Sequence, residues 1–181
     1  MEFQLHRHPD CPTGKAISIV THIEKIAPQR IAFVYRVSGD IDHVAMPIKR
    51  PATRTDDLWH ETCFEAFLAG ADEYIEFNFS PSTQWAAYHF DGYRRGMRAA
   101  NEISSVNIVQ KQSIDEFELT AIINAAELPR AIANIDRIAL STVIKDKDGA
   151  VTYFALAHPQ GTPDFHHPDC FTPQTPEWLR L

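Results

Sequence analysis

Cysteine is scarce in this chain, and positive charge is nowhere concentrated. The three thiols, Cys11, Cys63 and Cys170, are odd in number, widely separated and without a CxxC pair. That pattern excludes a disulfide framework and a zinc knuckle. Runs of Lys and Arg stop at two residues, as at Lys49-Arg50 and Arg94-Arg95, and 24 acidic residues face 17 basic ones for a net charge of -7. Proteins that neutralise phosphates normally show a basic stripe, so nucleic acid and anionic membranes are not expected as main partners unless distant residues assemble a patch. No apolar run approaches the length of a membrane span. The first residues, Met1 to His8, lack the basic start and apolar middle of a signal peptide. Together with the odd cysteine count, this gives the expectation of a cytoplasmic protein with free thiols. Glycine-rich phosphate loops, GxSxG and HExxH are missing too, and no segment keeps a helical period over three turns.

What is present reads as strands. The 181 residues, 44% hydrophobic and 23% charged, suit a single globular domain over 1–181. Such a chain buries on the order of 70% of its unfolded surface. Prolines gather at Pro9–Pro12, Pro47–Pro51 and Pro159–Pro176. Between them lie short segments rich in β-branched and aromatic residues: Ile17–Ile26, Ile31–Ser38, Thr62–Leu68, Tyr74–Ser80, Trp85–Phe90, Ser105–Gln110, Glu116–Ile123, Arg137–Lys145 and Val151–Ala157. Asp148-Gly149 marks a hairpin turn. The spacing predicts an all-β, antiparallel β-sandwich, immunoglobulin-like or jelly-roll-like. Helical turns are expected only at Asn124–Leu128 and Pro176–Leu181, with a short turn or helix near Ala99–Glu102.

The middle of the chain carries the chemistry. Side chains alternate faces along a strand, so Phe64, Ala66 and Leu68 share one face of Thr62–Leu68. Ile75, Phe77 and Phe79 share one face of Tyr74–Ser80. A turn at Ala69–Glu73 pairs the two segments, and matching their apolar faces sets Glu65 beside Asn78. With a turn at Pro81–Gln84, Ala86, Tyr88 and Phe90 join the core, while Trp85, Ala87 and His89 join Glu65, Glu76 and Asn78. The resulting face offers two carboxylates, a carboxamide, an indole and an imidazole around a small residue. Such a set suits a small polar ligand with an apolar side, a carbohydrate above all. A solvated sheet face would show the same alternation.

Other groups have alternative uses. The stretch His158 to Asp169 is long, irregular and proline-rich, and loops of this kind are often functional. His158, His166 and His167 beside Asp164 and Asp169 are candidate metal ligands; backbone hydrogen bonding would use them equally well. Trp59-His60-Glu61-Thr62-Cys63 also gathers metal-capable groups at a strand entrance. Arg54, Arg94 and Arg95 are candidate clamps for an anionic ligand. Glu65 and Glu76 are a candidate general acid/base pair. No local nucleophile accompanies them, so catalysis stands behind simple binding.

Three joined motifs carry a family likeness. They are Asp57-Leu58-Trp59-His60-Glu61-Thr62-Cys63-Phe64-Glu65-Ala66-Phe67, then Glu76-Phe77-Asn78-Phe79-Ser80-Pro81 with Gln84-Trp85-Ala86-Ala87-Tyr88, and the ending His158-Pro159 with Pro163-Asp164-Phe165-His166-His167-Pro168-Asp169. Over roughly Ile17 to Phe171 the chain resembles the DOMON-like superfamily, and within it the stand-alone bacterial proteins related to family-9 carbohydrate-binding modules. The resemblance implies a β-sandwich with a sugar- or haem-binding role. Haem-binding relatives hold iron with a methionine and a histidine or lysine, which directs attention to Met46, Met97 and His158. The expectation is therefore a non-catalytic binding domain for a sugar-like small molecule, with Glu65, Glu76, Asn78, Trp85, His89 and Arg54 at the site. The alternatives are a haem or metal protein and a small acid/base enzyme.

Overall fold

The computed structural model describes residues 1–11, 15–129 and 134–179; Arg180 and Leu181, the end of the expected C-terminal turn, lie outside them. Among the described residues are eleven strands: β1 (Glu2–Arg7), β2 (Ile17–Ala27), β3 (Arg30–Gly39), β4 (Cys63–Ala69), β5 (Tyr74–Phe79), β6 (Trp85–Phe90), β7 (Arg98–Ala99), β8 (Asn107–Gln112), β9 (Glu116–Asn124), β10 (Arg137–Lys145) and β11 (Val151–Ala155). All nine predicted strands are present, with small differences at their ends. β1 and the two-residue β7 were not foreseen. Three-residue 3-10 turns occur at Ala125–Glu127 and Glu177–Leu179, within the expected helical turns.

Every strand pairing is antiparallel. The strands form one continuous sheet in the order β7-β6-β5-β4-β10-β11-β1-β2-β3-β9-β8, curled into a half-barrel rather than divided into two hydrogen-bonded sheets. β1 is the seam. Glu2 to Leu5 pair with β2, and His6 and Arg7 pair with β11. Curling brings β3 and β9 over β4 and β5. The Phe33 ring lies 5.7 Å from Phe79, Tyr35 lies 5.1 Å from Phe64, and Phe64 stacks on Phe117 at 6.0 Å. The Tyr35 hydroxyl, taken into the core with these rings, donates to the Glu65 carbonyl at 2.7 Å. Phe64, Ala66, Leu68, Ile75, Phe77 and Phe79 all belong to this core, as the alternation predicted.

The β4–β5 register agrees with expectation: Glu65 faces Asn78 and Phe64 faces Phe79. The β5–β6 register does not. Ser80 N–H donates to Gln84 C=O at 3.0 Å, and the turn proper is Pro81–Thr83, with Thr83 left-handed at φ 74°. Phe79 therefore pairs with Trp85, not Ser80 with Trp85. A slip of one residue moves every side chain of a strand to the other face. Trp85 and Ala87 accordingly join the main core, and Ala86, Tyr88 and Phe90 lie with Glu65, Glu76 and Asn78.

That second face is not open to solvent either. Every residue of β4, β5 and β6 is buried. The turn Leu58–His60 and the segment from Pro163 to Phe171 cover them, burying Phe67, Tyr74, Phe90, Phe165 and Cys170 in a second apolar cluster. The cysteines are free and buried.

The corrected register has a measurable consequence. Trp85 is 3% exposed and Phe77 is fully buried, so Trp85→Ala and Phe77→Ala should each cost roughly 3–5 kcal/mol in urea unfolding. A loss for Trp85→Ala near zero would return the indole to an open face.

Candidate functional site

The second face carries a pocket of about 470 Å³. Its floor is the sheet itself: Glu65 from β4 and Glu76 from β5, diagonal neighbours across the hairpin. Its walls are aromatic. Phe90 rises from β6, Tyr153 from β11, Trp59 from the turn before β4, and Phe165 from the C-terminal loop. Arg94 and Met97, from the loop after β6, also line it, with His60, Val143, Pro163 and His166.

The carboxyl groups are held by short polar contacts. Ser141 Oγ on β10 donates to Glu65 Oε2 at 3.1 Å. Asn78 Nδ2 donates to Glu76 Oε1 at 2.6 Å, and Cys63 Sγ donates to Asn78 Oδ1 at 3.5 Å. Glu65 and Glu76 are 3% and 5% exposed, and burial dominates their chemistry. Desolvation, followed by the charge of Glu76, raises the Glu65 carboxyl well above the ordinary range; the Ser141 hydroxyl opposes this only in part. Desolvation pushes Glu76 up to about 7, against the hydrogen bond from Asn78 and the charge of Arg94. The same burial, helped by both glutamates, raises the Cys63 thiol, leaving it an inert hydrogen-bond donor.

One aspartate fixes the lid. Arg94 Nη2 and Nε both reach Asp164 Oδ1, at 2.8 and 3.2 Å. Tyr93 OH donates to Asp164 Oδ2 at 2.5 Å, and the His166 backbone N–H donates to Oδ1 at 3.1 Å. The Tyr74 hydroxyl accepts from Arg94 N–H at 3.3 Å and lies 2.8 Å from His166 Nδ1, so its proton is free to go to Nδ1. The imidazole then carries its own proton on Nε2, 3.8 Å from Glu76 Oε2. Burial, then the charge of Arg94, lowers His166 to about 4, so this is a neutral ring beside a carboxyl and not an ion pair at neutral pH.

Of the residues expected at a site, Glu65 and Glu76 line this pocket, Asn78 supports Glu76 from beneath, and His166 stands in the wall. Arg94 and Met97 line it as well, whereas Trp85, Arg54, His89, His158 and His167 lie elsewhere. Trp85 is core, for the reason of register given above, and Arg54 stacks on it at 4.6 Å. Arg54 also donates to the carbonyls of Ala87, Ala100 and Ile103, which ties down loops. His89 lies at the sheet end, its Nε2 2.7 Å from Glu73 Oε2. Glu73, His89 and Asp91 come within metal-ligand distance of one another, but the Arg98 guanidinium contacts both His89 and Asp91 and puts a positive charge there. The three candidate metal histidines are not gathered. His167 Nδ1 accepts from Asp169 N–H, and His158 Nε2 lies 2.7 Å from the His6 carbonyl. Met97 reaches the pocket, whereas Met46 packs against the main core, so neither is brought together with His158. Trp59, Phe90 and Tyr153 were not expected at a site. The first drew notice only as a neighbour of metal-capable groups at a strand entrance, the second is expected on the core face, and the third depends on long-range pairing.

Fold and site together define a class: an antiparallel β protein whose curled sheet is covered on its second face to leave one aromatic-walled, carboxylate-floored pocket. No family model matches the sequence, and no curated protein matches it. Among solved structures, the fold is similar to that of a protein of Bacteroides uniformis ATCC 8492 named a "putative carbohydrate-binding protein", with a TM-score of 0.62 and 15% identity over 94% of this chain and 84% of that one. At that identity the likeness is one of fold.

The titration of Glu76 is testable through stability. Its value rises from 4.5 to about 7 on folding, so between those limits the native state keeps a proton that the unfolded chain has released. Stability therefore falls as pH rises through that window, by on the order of 3 kcal/mol. His166 acts in the opposite sense, removing stability as pH falls from 6.5 to about 4. Comparing the wild type with Glu76→Gln isolates the carboxyl. The wild type should lose stability relative to the variant as pH rises from 4.5 to 7, measured by urea midpoints. A gap independent of pH would contradict the assignment.

Proposed function

We propose that the chain binds a sugar-like small molecule in the Glu65/Glu76 pocket without transforming it. One observation carries this reading. Two buried carboxyl groups sit on the floor of a ligand-sized pocket, under the rings of Trp59, Phe90, Tyr153 and Phe165. Hydroxyl groups pair with carboxyl oxygens, and the C–H faces of a sugar ring lie against aromatic rings. The volume fits a small ligand. The similarity of fold to a protein named for carbohydrate binding supports the same reading. So do the motifs resembling DOMON-like proteins of the family-9 carbohydrate-binding type, whose two-layered sandwich the facing halves of the curled sheet would represent. On this reading the protein is bacterial and works in the cytoplasm.

A second reading has one observation in its favour. Glu76 titrates near neutrality beside another buried carboxyl, the situation in which one carboxyl serves as acid and the other as base. Following a bound sugar by NMR separates the two: an unchanged ligand supports binding, and turnover supports catalysis.

The test of binding is calorimetric titration of a panel of mono- and disaccharides and muropeptides. Trp59 is only half-buried, so Trp59→Ala should leave the fold intact. It should weaken binding by about 1 kcal/mol, roughly fivefold in Kd. Binding that is indifferent to Trp59→Ala and Glu76→Gln would place the ligand elsewhere, and no binding across the panel would remove the sugar reading.

A further inference from the structure

The floor of the pocket is over-supplied with acid. Among the described residues, one hydrogen bond reaches each carboxyl group: Ser141 to Glu65 Oε2 and Asn78 to Glu76 Oε1. The second oxygen of each group has no hydrogen-bond donor from the protein, and both groups line the cavity. Both second oxygens open to the cavity, where the donors of a ligand can reach them.

The nearby positive charge is already committed. The Arg94 guanidinium makes two hydrogen bonds to Asp164, which also takes the Tyr93 hydroxyl. His166, the nearest imidazole to Glu76, is held neutral by burial. The walls add attraction of the same sign, since the faces of aromatic rings draw cations toward them.

We propose that the ligand is cationic: a hydroxylated small molecule bearing an amino group, of the amino-sugar class, whose ammonium donates to the open oxygens of Glu65 and Glu76. This rests on the reading that the pocket binds a sugar-like molecule and adds the charge. An ammonium offers several donors on one compact centre, which matches two open acceptors on adjacent strands. An anionic sugar would bring a third negative group into a site that already disfavours two.

Proton linkage follows from the arrangement. Without ligand, burial opposes ionisation of both carboxyls and the charge of Glu76 adds to it at Glu65, so near neutral pH the pair still holds protons. An entering cation favours the ionised forms, so binding should release protons. Cys63, Tyr74 and Tyr88 lie on the same face as the pair, and Tyr35 reaches the Glu65 carbonyl from the main core; all have values raised by burial. They remain protonated at neutral pH, as His166 remains neutral.

Calorimetric titration at neutral pH with D-glucosamine, D-glucose, N-acetyl-D-glucosamine and choline tests the inference. D-glucosamine should bind at least roughly tenfold more tightly than either neutral sugar. In two buffers of different ionisation enthalpy it should show proton release. Glu76→Gln should abolish the preference, while Trp59→Ala should weaken every sugar and leave D-glucosamine the tightest of them. D-glucose or N-acetyl-D-glucosamine binding as tightly as D-glucosamine would overturn the cationic ligand and leave the sugar site standing. Binding of choline alone would keep the cation and overturn the sugar. Failure of all four would overturn both.

Discussion

Burial of β4, β5 and β6 on both faces is the constraint on which the molecule depends. A sheet with one wet face needs a single core; these strands need two. The first is supplied by the curl of the sheet, which lays β3 and β9 over Phe64, Phe77 and Phe79. The second comes from the C-terminal loop and the turn before β4, whose rings close over Phe67, Tyr74 and Phe90. A loop without regular structure must find partners for its backbone and side chains. Asp164 meets much of that need, accepting from Arg94, Tyr93 and the His166 backbone. The pocket exists because this cover is incomplete above Glu65 and Glu76. Its acidity exists because those two carboxyl groups lie beneath a cover and not in water.

The sequence disclosed the strands, the β4–β5 register and the two glutamates, because each is a local pattern. Alternation in Thr62–Leu68 and Tyr74–Ser80 is enough to place Glu65 beside Asn78. It did not disclose the β5–β6 register, since three- and four-residue turns around Pro81 read alike, and Thr83 in a left-handed conformation carries no compositional sign. One further signal lies in the strands themselves. β4 and β6 are almost continuously apolar, which is the pattern of strands covered on both faces. Taken seriously, it argues against an open binding face and for a covered one.

The pocket walls were hidden for a different reason. Tyr153 reaches the pocket through β11 pairing with β10 and β10 with β4, and Phe165 arrives through an irregular loop. Neither relation has a sequence period. The histidines are a milder case. Their number beside aspartates suggested a metal, but His158 and His167 serve backbone groups, and of the three candidates His166 faces the pocket, as a neutral ring.

The seam at β1 also orders events in time. As the chain emerges, Glu2 to Leu5 can pair with β2 within some twenty residues of synthesis, whereas His6 and Arg7 must wait for Phe154 and Ala155. Until then the nascent sheet has a ragged margin on β1, with backbone donors and acceptors facing water or other chains. Joining the two halves is therefore a long-range closure made late, and such closures are slow steps in β proteins. The carboxylate pocket, which needs Tyr153 and Phe165 from the same late segment, matures only with that closure. An incompletely synthesised chain would have most of its strands and no pocket.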